Sequence, residues 1–157
     1  MKRNISVFCA ALLLVGLLCL GGCGTQKQDS TLYDSRVEFV GDAPGVGNLI
    51  EQLQYGTYGS FTIALQTNKE PYGLTISYAK APDDPEKFTE DMEKKACFLF
   101  ALVDNLGEVY WDYPGKDTLF HSFTYEMACE QVGSDIRAYG TSPEKIREFA
   151  DQLQLDI

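Results

Sequence analysis

Acid–base or nucleophilic chemistry in this chain would have to pass through one imidazole. His121 is the single histidine of 157 residues, so a Ser-His-Asp triad, a Cys-His pair or a histidine-anchored zinc site must include it. No C-x-x-C, H-E-x-x-H or G-x-S-x-G spacing accompanies it. Leu119 and Phe123 alternate with His121, so the imidazole is expected to pack half-buried on a strand. The stretch "GDAPGVG", residues 41–47, lies between an expected strand and an expected helix, where backbone N–H groups can hold a phosphate. It lacks the Lys-Ser/Thr pair of a nucleotide loop, and Asp42 would repel the anion, so helix capping is its expected role. Asp83-Asp84 and Glu90-Asp91 lack calcium-loop spacing. The first pair is expected to cap a helix and the second to face solvent. Catalytic residues, metal ligands and cofactors are all expected to be none.

Recognition has better candidates than catalysis. Tyr72, Tyr78, Tyr110, Trp111 and Tyr113 all fall on expected strands. They would form either a binding face or, the commoner use of strand aromatics, a packed layer beneath helices. The hairpin tip "TNKEPYG" joins Asn68, Lys69 and Tyr72, the best single recognition loop, unless Pro71 merely stiffens a turn.

Cysteine supplies the remaining chemistry, and it begins at the N-terminus. Met1-Lys2-Arg3-Asn4 is a short basic head, followed by the uncharged run "ISVFCAALLLVGLLCL". As a helix this run reaches roughly 24 Å, short of the roughly 30 Å hydrocarbon core, so residues 1–22 read as a secretory signal that is removed. Leu20-Gly21-Gly22-Cys23 resembles the lipobox of bacterial lipoproteins. That resemblance implies a diacylglycerol thioether on Cys23, cleavage before it, and attachment to the outer, extracytoplasmic face of the cell membrane; the other reading is an uncleaved anchor. Two acyl chains hold a protein stably where one does not. Residues 23–35 are polar and aperiodic, a flexible tether whose twelve residues after Cys23 reach about 19 Å. Cys97 and Cys129 remain; an exported pair could form a disulfide, but both fall in expected helices among apolar neighbours, where cysteine packs.

Charge restricts the partners. Thirteen basic residues less Lys2 and Arg3, against 23 acidic ones, leave −12 after cleavage. Nucleic acid and anionic lipid headgroups are repelled, so no nucleic-acid partner is expected. Beyond the membrane reached through the lipid anchor, a membrane protein or a cationic peptide fits best, unless the charge serves only solubility.

The elements that must position these residues follow from periodicity. Residues 36–157 suit one globular domain. "RVEFV" (36–40) reads as a strand, and Val46, Leu49, Ile50 and Leu53 then follow helical spacing between Asp42 and Gly56. "SFTIALQT" and "YGLTISY" form a hairpin about "NKEP". Asp84-Pro85 opens a second helix through "ACFLFALV", apolar nearly all round, which is either a central helix or a buried strand. "EVYWDY" and "TLFHSF" make a second hairpin about Pro114-Gly115. A short helix closes at Gly133, "DIRAY" is ambiguous, and Thr141 with Glu144 fits a capping box before the last helix. The expected fold is α+β: a two-layer sandwich, an antiparallel sheet with helices on one face. Its core would be ferredoxin-like, β-α-β-β-α-β, extended by a C-terminal hairpin strand and helices.

Four stretches together, "FVGDAPGVGNLIEQL", "LQTNKEPYGLTISY", "CFLFALVDNLGEVYW" and "SDIRAYGTSPEKIREFADQL", resemble the bacterial family catalogued as domain of unknown function 4825, across residues 37–153. The resemblance implies small exported lipoproteins, and membrane proteins bearing the same domain that include a receptor-type metallopeptidase like that of penicillin sensors. It implies location and a sensory context, with no active site to carry over. The expected function is thus a non-enzymatic, membrane-anchored binding or sensory module. The alternatives are a structural or assembly lipoprotein of a membrane complex and a carboxylate-dependent hydrolase.

Overall fold

The computed structural model describes residues 32–115 and 120–155. The signal, Cys23 and all but the last residues of the tether lie outside the described residues. Helix α1 (Ala43–Gln52) starts where Asp42 accepts the Gly45 N–H at 3.2 Å. It ends at Leu53, short of Gly56, because Gln54 turns left-handed (φ 56°) and the chain continues as a 3-10 turn, Tyr55–Tyr58. The hairpin of β1 (Phe61–Gln66) and β2 (Tyr72–Tyr78) follows in unbroken antiparallel register.

Helix α2 (Pro85–Leu102) is capped by Asp84, which accepts the Lys87 N–H at 3.0 Å, with Pro85 in the first turn. It is the central helix: Phe88, Met92 and Ala96–Leu102 are all buried. Strand β3 (Leu106–Asp112) then pairs with β4 (His121–Thr124), giving the second expected hairpin. Thr124 caps α3 (Tyr125–Val132), which Gly133 ends in the left-handed region at φ 78°. A 3-10 segment, Ile136–Thr141, occupies the ambiguous "DIRAY". Ser142, not Thr141, caps α4 (Pro143–Leu153), because the Thr141 hydroxyl donates back to the Ala138 carbonyl and closes the preceding turn.

The fold is α+β in two layers, but its connectivity differs from the ferredoxin-like expectation. The sheet order is β1-β2-β3-β4, and the middle pair is parallel, so the sheet is mixed. The cause lies in residues 36–40, which form no strand. Val37 makes a single bridge to Val103, and its N–H and C=O bond to Leu102 and Asp104 at the end of α2. Val40 donates to Asn105 Oδ1 at 2.7 Å, and Phe39 is left exposed. With that strand gone, α2 returns the chain beside β2 in the same direction, as a helical crossover does.

Burial alternates along β2 and β3, so one face of the sheet is covered. Leu74, Ile76, Tyr78, Val109, Trp111 and Phe123 pack beneath the helices, while Thr62, Ala64 and Ser122 stand exposed on the other face. Each large apolar side chain so buried contributes about 1.5–3 kcal/mol. Helix α4 joins this core through Phe149, whose ring lies 4.9 Å from Phe98 and 4.3 Å from Tyr139.

Candidate functional site

The register sets Trp111 directly opposite His121, so the imidazole points to the covered face at the β4 edge. There it stacks on the indole, centroids 5.7 Å and planes 5° apart. Its position is half-buried, as its alternation with Phe123 implies. His121 Nε2 and Trp111 Nε1 are buried without a partner among the described residues.

Facing His121 is the N-terminal half of α2. Glu86, Glu90 and Glu93 recur at helical spacing and line a cleft of about 460 Å³ with Pro85, Tyr113 and His121. Glu90 is paired with Lys94 at 2.7 Å, whereas neither Glu86 nor Glu93 belongs to a salt bridge among the described residues. Burial holds the Glu93 carboxyl above its ordinary value; His121 opposes that rise and Glu90 adds to it. Phe88 braces the opposite wall edge-on against Tyr113, 5.5 Å between centroids. Two carboxylates outside any salt bridge among the described residues, with the Tyr113 ring in the same cleft, suit an ammonium or guanidinium group. No three His, Cys, Asp or Glu side chains converge to hold a metal among the described residues.

The other expected positions divide. Asp42 sits at the helix N-terminus where an anion would bind, and so caps it. Of the Glu90-Asp91 pair only Glu90 faces solvent; Asp91 accepts from the Tyr58 hydroxyl and from Lys87. Asn68 and Lys69 are exposed together at the β1–β2 tip, but Tyr72 is drawn off into β2 opposite Leu106. The strand aromatics do not share a face. Tyr78, Trp111 and Tyr113 are buried, while Tyr110 lies on the open face bonded to Glu108. Cys97 and Cys129 are free, and burial pushes the Cys97 thiol up to about 12, an inert packed thiol.

Glu86 and Glu93 escape sequence reasoning as site residues. Their i, i+7 spacing is legible, but a stripe of acids on one helix reads as a solvated face until a second element is set against it.

The chain belongs to the family described as Domain of unknown function (DUF4825), whose sequence pattern matches residues 32–126. The match spans α1, both hairpins and α2, and therefore the whole acidic cleft. No curated protein and no solved structure matches the chain. Among the described residues no helix is long and apolar enough to cross a membrane.

Proposed function

We propose that this is a lipid-anchored domain on the extracytoplasmic face of the cell membrane, a binding or sensory module that holds a cationic group of a membrane-protein or peptide partner without transforming it. The observation that carries the reading is the cleft: Glu86 and Glu93, outside any salt bridge among the described residues, face Tyr113 and His121. Anchoring rests on Leu20-Gly21-Gly22-Cys23 after a basic head and a short apolar run. The acidic balance of the chain favours a basic partner over nucleic acid.

The test is photo-crosslinking in intact cells, with the crosslinker at Thr89 in the cleft and, separately, at Lys69 on the hairpin tip. A membrane-protein or peptide adduct from Thr89 that disappears on Cys23→Ala supports the reading. Turnover of a peptide or cell-wall substrate by the purified full chain, abolished by Glu93→Gln with the fold retained, contradicts it in favour of a carboxylate-dependent hydrolase.

A further inference from the structure

The acidic cleft lies beside β4; the opposite edge of the sheet, β1, carries a different feature. Outer strands expose unpaired backbone groups, and sheets guard them with charges, prolines, bulges or short length. Strand β4 is four residues long and runs straight into α3. Strand β1 is six residues, "FTIALQ", with no charge, no proline and regular register throughout.

The phase of the ladder fixes which groups are free. Ala79 N–H donates to the Ser60 carbonyl at 2.9 Å, so Ser60 and Ala79 form a hydrogen-bonded pair. Antiparallel pairs alternate between bonded and non-bonded. The bonded pairs are therefore Thr62/Ser77, Ala64/Thr75 and Gln66/Gly73. The N–H and C=O groups of Phe61, Ile63 and Leu65 point away from β2, and none bonds to another backbone group outside the strand among the described residues.

The side chains of the same three residues face the helix layer without being covered by it. Phe61, Ile63 and Leu65 are half-buried, whereas Tyr78, Ile76 and Leu74 opposite them are buried. The missing cover is a groove of about 580 Å³ between β1 and α1, lined by Ile50, Glu51, Gln54, Thr57, Phe61 and Ile63 among others. A strand laid along β1 would place alternate side chains in this groove, beside Phe61 and Ile63.

We infer that the β1 edge takes an extended, basic peptide segment by strand addition, with apolar residues at alternate positions and a Lys or Arg over Glu51. Charge decides between this occupant and a second copy of the chain. Among the described residues Glu51 is the one charged residue lining the groove, and the chain carries −10 overall. Pairing β1 with a second β1 would set two such charges together, whereas a basic segment meets an opposite one. This inference does not rest on the acidic cleft.

The experiment selects short random peptides against the full chain in lipid nanodiscs, then follows amide hydrogen exchange of the chain with each enriched peptide. Enriched peptides should alternate apolar residues and contain Lys or Arg, and should protect the N–H groups of Phe61, Ile63 and Leu65. N-methylation of the peptide's pairing amides, or Glu51→Lys in the chain, should weaken binding by about tenfold or more, the equivalent of 1.4 kcal/mol. Glu51 is exposed on α1, so its substitution leaves the core alone. No enrichment, or protection confined to other amides, overturns the inference. So does a sedimenting dimer that protects the same three amides without peptide, which would assign the edge to a second copy.

Discussion

His121 lies flat on Trp111, 5.7 Å between ring centroids, and each ring keeps a buried nitrogen without a partner among the described residues. His121, with Tyr113, lines a cleft whose other wall is acidic, and Trp111 lies buried directly behind the imidazole. Because Trp111 is the chain's single tryptophan, its fluorescence reports the packing behind His121. His121→Ala should uncover the indole, shift its emission to the red and cost about 0.5–1.5 kcal/mol, the worth of one aromatic pair beyond its burial. An unchanged spectrum would mean that the stack does not shield Trp111.

Glu93 gives the cleft a pH signature. Burial raises its folded-state value above 4.5, with His121 opposing and Glu90 reinforcing. The folded domain thus prefers the protonated acid. The cost of ionising Glu93 is absent below 4.5 and grows as pH rises through the raised folded value. Glu93→Gln should therefore gain stability relative to the parent chain at neutral pH, and that gain should vanish in acid. Denaturant unfolding at both pH values checks this; a gain that persists or grows in acid has the wrong sign.

Two glycines should respond oppositely to a methyl group. A Cβ on Gly140 would stand 1.8 Å from the Ala101 carbonyl oxygen, inside the contact between the 3-10 segment and α2. Gly140→Ala should cost about 1–3 kcal/mol or more, since backbone must move. A Cβ on Gly47, within α1, meets nothing within 4 Å. Gly47→Ala should stabilise by about 0.5–1 kcal/mol through helix propensity. Thermal melts of the two variants separate these outcomes, and melting shifts of one sign for both would refute the packing described.

The family match ends at residue 126, yet α4 is integral to the core. Phe149 is fully buried against Phe98 and Tyr139. Phe149→Ala should lose about 3–5 kcal/mol in denaturant unfolding. A loss under about 1 kcal/mol would show that α4 is an appendage rather than part of the domain.

Local signals carried most of the elements. Asp84-Pro85 and the apolar spacing behind it mark α2, and "NKEP" and Pro114-Gly115 mark both hairpins. What failed was non-local. Val37 and Phe39 look like alternate strand positions, but the backbone partners of Val37 and Val40 are Leu102, Asp104 and Asn105, some 65 residues away. The parallel pairing of β2 with β3 follows from that same missing strand. In the site, the half-burial of His121 was legible from Phe123, whereas its meeting with Glu93 was not. That meeting depends on where α2 crosses the sheet, which no spacing within α2 encodes.

Fluorescence titration of Trp111 with spermidine, using the full chain in lipid nanodiscs, tests the cationic reading of the cleft most directly. A flexible trication with no backbone cannot add to β1 as a strand, and the double variant separates the cleft from other acidic surface. The expected result is a saturable change that weakens with added salt and falls about tenfold or more in affinity in the Glu86→Gln/Glu93→Gln double variant. An absent response, or equal affinity in the folded double variant, would contradict the cleft as a site for a cationic partner.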